Sequence, residues 1–266
     1  MPINDEKKNI IKAINKTGFP LELRISKFLQ DEGYYVANNL YFIDQDEGKG
    51  REVDMRALKN YEFYSGRKNY FIRHLLLIEC KKSAEKPWII FTSPKTVYDK
   101  RLFPLQARGV KENIKWLDYD VPAKLGEIHP FSKNERCGRS FFEPFSSGKD
   151  GKTIYESLIK SVKAAIAMRD NKYAAAPNDV CIYYPMVIFD GKLYEAYLDE
   201  KNKINVQEAD SIMVSFFYES PKYQDEKFTV PIVTERYLST FCSDLDSTLQ
   251  FLGEFFKDNM SLIKAT

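Results

Sequence analysis

The sequence is poor in the residues that build most metal and redox centres. Its 266 residues include two histidines and four cysteines. Cys80, Cys137, Cys181 and Cys242 lie far apart, with no pair at zinc-knuckle or redox spacing, so they read as free thiols in a reducing cytoplasm. His74 and His129 are widely separated and neither stands at ligand spacing with a cysteine, which argues against a zinc site and a Ser-His-Asp triad. His74 reads as a strand-edge residue. No Walker-type loop or dinucleotide fingerprint is present, which disfavours an ATP-driven or hydride-transfer enzyme. Long apolar runs are missing as well. The run over 75–78 falls far short of the roughly 20 residues a membrane-spanning helix needs, and the chain opens on charged residues where a signal region is apolar. There is no internal repeat or low-complexity linker. The expectation is a cytoplasmic protein with no membrane partner.

What is present suits one large folded domain, with 44% hydrophobic and 14% aromatic residues. The net charge of +2 hides a bipolar distribution. Residues 51–115 hold 15 Lys/Arg against 7 Asp/Glu, whereas residues 192–266 hold 8 against 13. A basic region of this kind suits a polyanion bound at one face, because Lys and Arg neutralising phosphates supply most sequence-independent affinity for nucleic acid. A merely solvated charged surface is the alternative reading.

Apolar periodicity predicts helices over 3–16 and 18–32, broken at Thr17-Gly18; Pro20 suits a first turn, Gly33 ends the second helix, and Glu22 sits in its first turn. Strands follow over 34–43, 51–58 and 74–81. The run Leu75-Leu76-Leu77-Ile78 suits a central strand covered on both faces, and it ends abruptly in charge at Glu79. Residues 83–151 read as an insertion, with a short apolar stretch over 88–91 and a helix around 105–117. An amphipathic helix over 153–169 carries Tyr155, Leu158, Ile159, Val162 and Ile166 on one side and Lys160 and Lys163 on another. Then come strands over 181–189 and 192–198, joined as a hairpin by Asp190-Gly191, strands over 212–218 and 230–233, and a closing helix over 238–256. The fold class is α/β: one domain with a mixed sheet and helices on its faces, its core at 18–82 and 153–198, an insertion at 83–151 and a C-terminal extension at 199–266.

Chemistry concentrates at one strand end. Alternate strand residues share a face, so Glu79 and Lys81 stand side by side while Cys80 points away. Each is expensive to bury alone, yet both follow directly on a core strand. In the preceding strand Val53 and Met55 are expected on one face and Asp54 and Arg56 on the other, and an adjacent strand can bring Asp54 to Glu79. Two carboxylates with a nearby backbone carbonyl offer the oxygen ligands that Mg²⁺ prefers, and Lys81 could position a water against a phosphodiester, its pKa lowered by desolvation or its charge orienting hydroxide.

Asp54, an intervening stretch and then Ile78-Glu79-Cys80-Lys81 after an apolar run resemble the PD-(D/E)xK signature of the restriction-endonuclease-like superfamily. The resemblance covers the first third of the chain and residues 153–190, with Val53 standing where the family name has Pro. It implies a metal-dependent nuclease. Asp54 and Glu79 would be metal ligands, the Cys80 carbonyl a further one, Lys81 the catalytic lysine, and Glu22 a helical acid that binds the metal or polarises its water, although helix-start electrostatics accounts for a carboxylate there equally well. The helix over 153–169 would be the second core helix. Arg56 and Lys82 are candidate phosphate contacts, or members of a solvated face, and Gln106 a candidate partner of the phosphate or the lysine. Trp88, Phe91, Tyr98 and Trp116 interleave with Lys86, Lys95, Lys100, Arg101, Arg108 and Lys111, a mixture that suits base stacking as well as a core. The expected activity is Mg²⁺- or Mn²⁺-dependent hydrolysis of a nucleic acid, DNA by resemblance, and cutting of both strands by a single-site enzyme favours a homodimer. The other reading is a nucleic-acid-binding or protein-interaction module that has the fold and does not cut. The sequence leaves DNA against RNA, and single against double strands, open.

Overall fold

The computed structural model describes residues 5–96, 106–110, 121–144, 151–170, 178–220, 222 and 226–263. Helices α1 (Asp5–Ile14) and α2 (Phe19–Asp31) lead into a meander of β1 (Tyr35–Asp44), β2 (Lys49–Ser65) and β3 (Lys68–Pro94). Pro20 lies at the start of α2, where a missing N–H costs nothing. The three strands pair antiparallel, and Gly66 with φ +60° makes the tight turn between Ser65 and Lys68. Strand β4 (Gln106–Arg108), helix α3 (Val121–Ile128) and β5 (Arg136–Phe142) follow. Helix α4 (Lys152–Asp170) then returns the chain to β6 (Asp179–Leu198), which runs parallel to β3. The chain closes with β7 (Ile204–Glu208), β8 (Ser211–Tyr218), β9 (Glu226–Thr234) and helix α5 (Leu238–Asp258).

The nine strands among the described residues form a single mixed sheet. Ile72, Leu76, Ile78 and Cys80 of β3 share a core with α2 and α5, while Leu75 and Leu77 pack with Ala164 and Ala165 of α4. The four-residue apolar run is therefore covered on both faces, as a central strand requires. Helix α5 comes so close to the sheet that a Cβ at Gly253 would lie 2.2 Å from the Tyr61 ring. Beyond the first half of β3, strands β3, β5, β8, β9 and β6 pair in a closed ring. Its interior holds Trp88 stacked on Phe189 with ring centroids 4.1 Å apart. Gly138 closes the ring at its bridge to Val214, where a Cβ would meet Ile90 at 2.7 Å. No helix among the described residues is long and apolar enough to cross a membrane.

Several expectations are corrected. Strand β3 does not stop after Lys81 but continues to Pro94, taking in the apolar stretch over 88–91, and it changes partner from β2 to β5 along the way. Residues 181–198 are one strand and not a hairpin. A two-residue primed turn needs positive φ, and neither Asp190 nor Gly191 has it. Gly191 instead lets β6 pass close to β3, since a Cβ there would lie 2.6 Å from the Ser83 carbonyl oxygen. Residues 106–108 form a strand on β6 and not a helix, because backbone pairing with 181–183 outweighs local periodicity; residues 111–117 of that expected helix lie outside the described residues. The segments read as an insertion and an extension both contribute strands to the same sheet.

His74 is likewise no strand-edge residue. Flanked by β2 and β6, it is buried against Tyr184, and His129 packs on the same tyrosine, so the chain's two histidines meet in its core. Burial, then the nearby Lys59, pushes His74 down to about 3, and burial also lowers His129. An unfolded chain regains an ordinary imidazole near 6.5 and binds more protons below that pH, so this contribution to stability is full above 6.5 and is lost as pH falls toward 3. The urea midpoint should decline over that interval, and His74→Gln should flatten the decline. An unchanged slope in the variant would mean that the imidazole is not buried neutral.

Candidate active site

The β2–β3 ladder ends at the pair Met55 and Ile78, and beyond that pair the two strands diverge. In the opening, Asp54 turns its carboxylate to the neighbouring strand and accepts the Cys80 N–H at 2.7 Å through Oδ2. The expected shared face of Val53 and Met55 is not kept. Val53 packs on the α4 side and Met55 on the α2 and α5 side, because the ladder with β1 is interrupted between these two residues, opposite Asn39. Asn39, in the β1 stretch facing this point, has φ +51°.

Glu79 is fully buried on the α4 side of β3. Lys81, two residues on and on the same face, lies 3.0 Å from Glu79 Oε2 and 4.0 Å from Asp54 Oδ2. Helix α4 supplies a second ammonium: Lys160 Nζ is 2.8 Å from Glu79 Oε1 and 3.4 Å from Asp54 Oδ1. Two carboxylates are thus held by two lysines from opposite sides. Burial, and then the Asp54 charge, raise the Glu79 pKa against the pull of Lys81 and Lys160. For Lys160 burial acts to lower the pKa, but Glu79 and Asp54 outweigh it and the net shift is upward.

Glu22 comes to the margin of this cluster from the first turn of α2. Burial, then Asp54, raise its pKa, so the two acids sense each other, although no hydrogen bond joins Glu22 to Asp54, Glu79 or Lys81 among the described residues.

The remaining candidates separate. Arg56 lies two residues along β2 from Asp54, with Nε buried and without a hydrogen bond. Lys82 is exposed on the opposite face from Lys81 and donates to the Asn15 carbonyl at 3.2 Å, as strand alternation demands. Gln106 pairs with Tyr183 on the far side of β6, four residues before the Val187 that faces Glu79. At about 3.3 Å per residue and two strand spacings, its backbone is on the order of 15 Å from Glu79. Trp88 is core, while Tyr98, Lys100, Arg101, Lys111 and Trp116 lie outside the described residues.

Lys160 is the residue that sequence reasoning missed, since the helical pattern places it only on a different side from the apolar positions. The signal was in its neighbours. Ser157, Ser161, Ala164 and Ala165 are buried around it, a small-residue stripe that lets α4 approach the sheet to within reach of a lysine stem.

The donors that would be open to a divalent cation are the Asp54 and Glu79 carboxylates and the Cys80 carbonyl. Glu79 Oε1 is buried, and its partner is the Lys160 ammonium at 2.8 Å. A strand residue sends its N–H and C=O to the same edge, so the Cys80 carbonyl faces the side where Asp54 takes the Cys80 N–H. Among the described residues no three His, Cys, Asp or Glu side chains converge. The set is two carboxylates and a carbonyl, enough for Mg²⁺, which keeps several waters.

Beside the cluster a cleft of about 410 Å³ opens between the β1–β2 turn and α4, lined by Asp44, Glu47, Arg51, Glu156, Lys160 and Lys163 among others. Asp44 is buried and meets Lys163 at 2.6 Å. Burial works against its charge, but Lys163 and the backbone N–H groups of Asp46 and Glu47 hold the pKa below the usual value. Removing one partner of a buried pair strands the other, so Lys163→Met should cost about 3 kcal/mol in urea unfolding. The double variant with Asp44→Asn should recover some of that loss. Additive losses would show that the pair is not coupled. Comparison with protein-family models, with curated proteins and with solved structures finds no match to this chain.

Proposed function

We propose that this protein is a metal-dependent nuclease of the restriction-endonuclease-like superfamily, cleaving DNA. The observation that carries the reading is the convergence of Asp54, Glu79 and Lys81 from two diverging strands onto one cluster around the fully buried Glu79, beside Glu22 of the first core helix. The element order supports it: a helix, an antiparallel meander, a helix on the sheet and a strand parallel to the third.

Asp54, Glu79 and the Cys80 carbonyl would hold Mg²⁺ or Mn²⁺. When bound, the ion supplies Lewis-acid stabilisation of the charge that builds on the phosphoryl oxygens. The Cys80 N–H fixes the Asp54 carboxylate, so little reorganisation is needed on binding. Lys81 presents an ammonium at the exposed rim of the site, where it orients the attacking water and meets the incoming phosphate. Glu22, with its raised proton affinity, is suited to take the proton from that water at a carboxylate oxygen. Arg56 is the second candidate for a phosphate contact.

One observation favours a different reading. The two carboxylates are already balanced by two lysines, which is what a purely structural ion cluster in a non-catalytic binding module would show. Plasmid and single-stranded DNA incubated with Mg²⁺, Mn²⁺ or EDTA separate the two. The nuclease reading predicts metal-dependent cutting reduced at least about a hundredfold in Asp54→Ala and Lys81→Ala, with DNA binding retained in Lys81→Ala. A folded wild type that cuts neither substrate with either metal would support the binding module.

A further inference from the structure

We propose that Lys160 is a built-in competitor of the divalent cation: its ammonium holds Asp54 and Glu79 together in the metal-free protein and leaves them when the metal binds. This rests on reading the cluster as a metal centre and adds a residue that the family signature does not contain.

Charge supplies the first argument. Asp54 and Glu79 are neutralised by Lys81 and Lys160, so a dication entering with both lysines in place would set four positive charges against the three negative ones of Asp54, Glu79 and the neighbouring Glu22. Coulomb repulsion at such separations favours the departure of one ammonium.

Geometry identifies which one. Lys81 shares a strand and a face with Glu79, and its bond to Oε2 is a directed hydrogen bond of 3.0 Å. Lys160 reaches across the gap between helix and sheet and bridges the two carboxylates, 2.8 Å from Glu79 Oε1 and donating to Asp54 Oδ1 at 3.4 Å. It therefore occupies the carboxylate oxygens that Lys81 leaves to a metal. It also has somewhere to go. The Lys160 side chain is 33% exposed and borders the 410 Å³ cleft, where Glu156 stands one helical turn before it. A glutamate four residues ahead of a lysine is the favourable order for a helical ion pair, so the released ammonium has a carboxylate waiting on the cleft side. Glu156 now pairs with Lys152 at the exposed surface, a contact of small consequence that it can exchange. In this account Lys160 is a positioning residue. It keeps two like charges together until metal arrives, and then leaves an extra positive charge in the cleft beside the reacting phosphate.

The test is Mn²⁺ titration by calorimetry together with thermal melting, with and without Mn²⁺, on the full chain carrying Lys160→Met, Lys160→Arg or Asp54→Asn. Lys160→Met keeps most of the stem and removes the charge. It should bind Mn²⁺ at least about tenfold more tightly than wild type, melt lower without metal, and gain more in Tm from Mn²⁺. Lys160→Arg keeps the charge and should bind no more tightly than wild type. If Lys160→Met is too unstable to purify, Lys160→Gln carries the same expectation. Should Lys160→Met bind Mn²⁺ no more tightly than wild type while Asp54→Asn loses binding, Lys160 is a structural partner only and the metal centre stands without it. Absence of Mn²⁺ binding at millimolar concentration in both wild type and Lys160→Met would overturn the metal centre and this proposal together.

Discussion

Two carboxylates placed where β2 and β3 diverge must be neutralised, and much of the surrounding architecture follows from that requirement. Glu79 is fully buried, and an isolated ionised carboxylate in such a place would be protonated or would unfold its surroundings. Lys81 answers from the same strand and Lys160 from α4. The second answer constrains the helix, which must lie close enough for a lysine stem to reach the sheet, and the buried serines and alanines of α4 provide that approach. A further ion pair, Lys163 with Asp44, ties the same helix to the β1–β2 turn. The cluster and the cleft are thus two consequences of one docking geometry.

The fold was legible in the sequence wherever local pattern and tertiary environment agree. Helices α2, α4 and α5 were readable from apolar spacing, and the run over 75–78 announced a central strand because a half-exposed strand does not tolerate four consecutive apolar residues. Strand continuity was not legible. Polar residues over 82–87 suggested that β3 ended, yet β6 runs alongside and resumes pairing at Trp88. Asp190-Gly191 carries the composition of a tight turn but is used for a close strand crossing, where the glycine is selected by the Ser83 carbonyl and not by its φ. His74 looked like an edge residue because nothing local reveals that strands lie on both sides of it.

At the site, alternation predicted that Glu79 and Lys81 share a face, and the short separation of β2 and β3 placed Asp54 within reach. That Asp54 would leave the ladder and cap the Cys80 N–H was invisible, since it depends on two strands diverging. Lys160 was invisible for a related reason. Lysine on an amphipathic helix is assigned to solvent by default, and only the size of the residues beside it hints otherwise. Lys82 and Gln106 were chosen by proximity in sequence and by analogy. Alternation removes the first to the other face, and an intervening strand removes the second.

The central claim is that Asp54, Glu79 and the Cys80 carbonyl form a divalent-cation site. Anomalous diffraction from wild-type crystals soaked in Mn²⁺ tests it most directly. The account predicts one strong peak between the Asp54 and Glu79 carboxylates, within bonding distance of the Cys80 carbonyl oxygen and absent from Glu79→Gln crystals. A clean anomalous map at that position, with both lysines still seated on the carboxylates at saturating Mn²⁺, would contradict it.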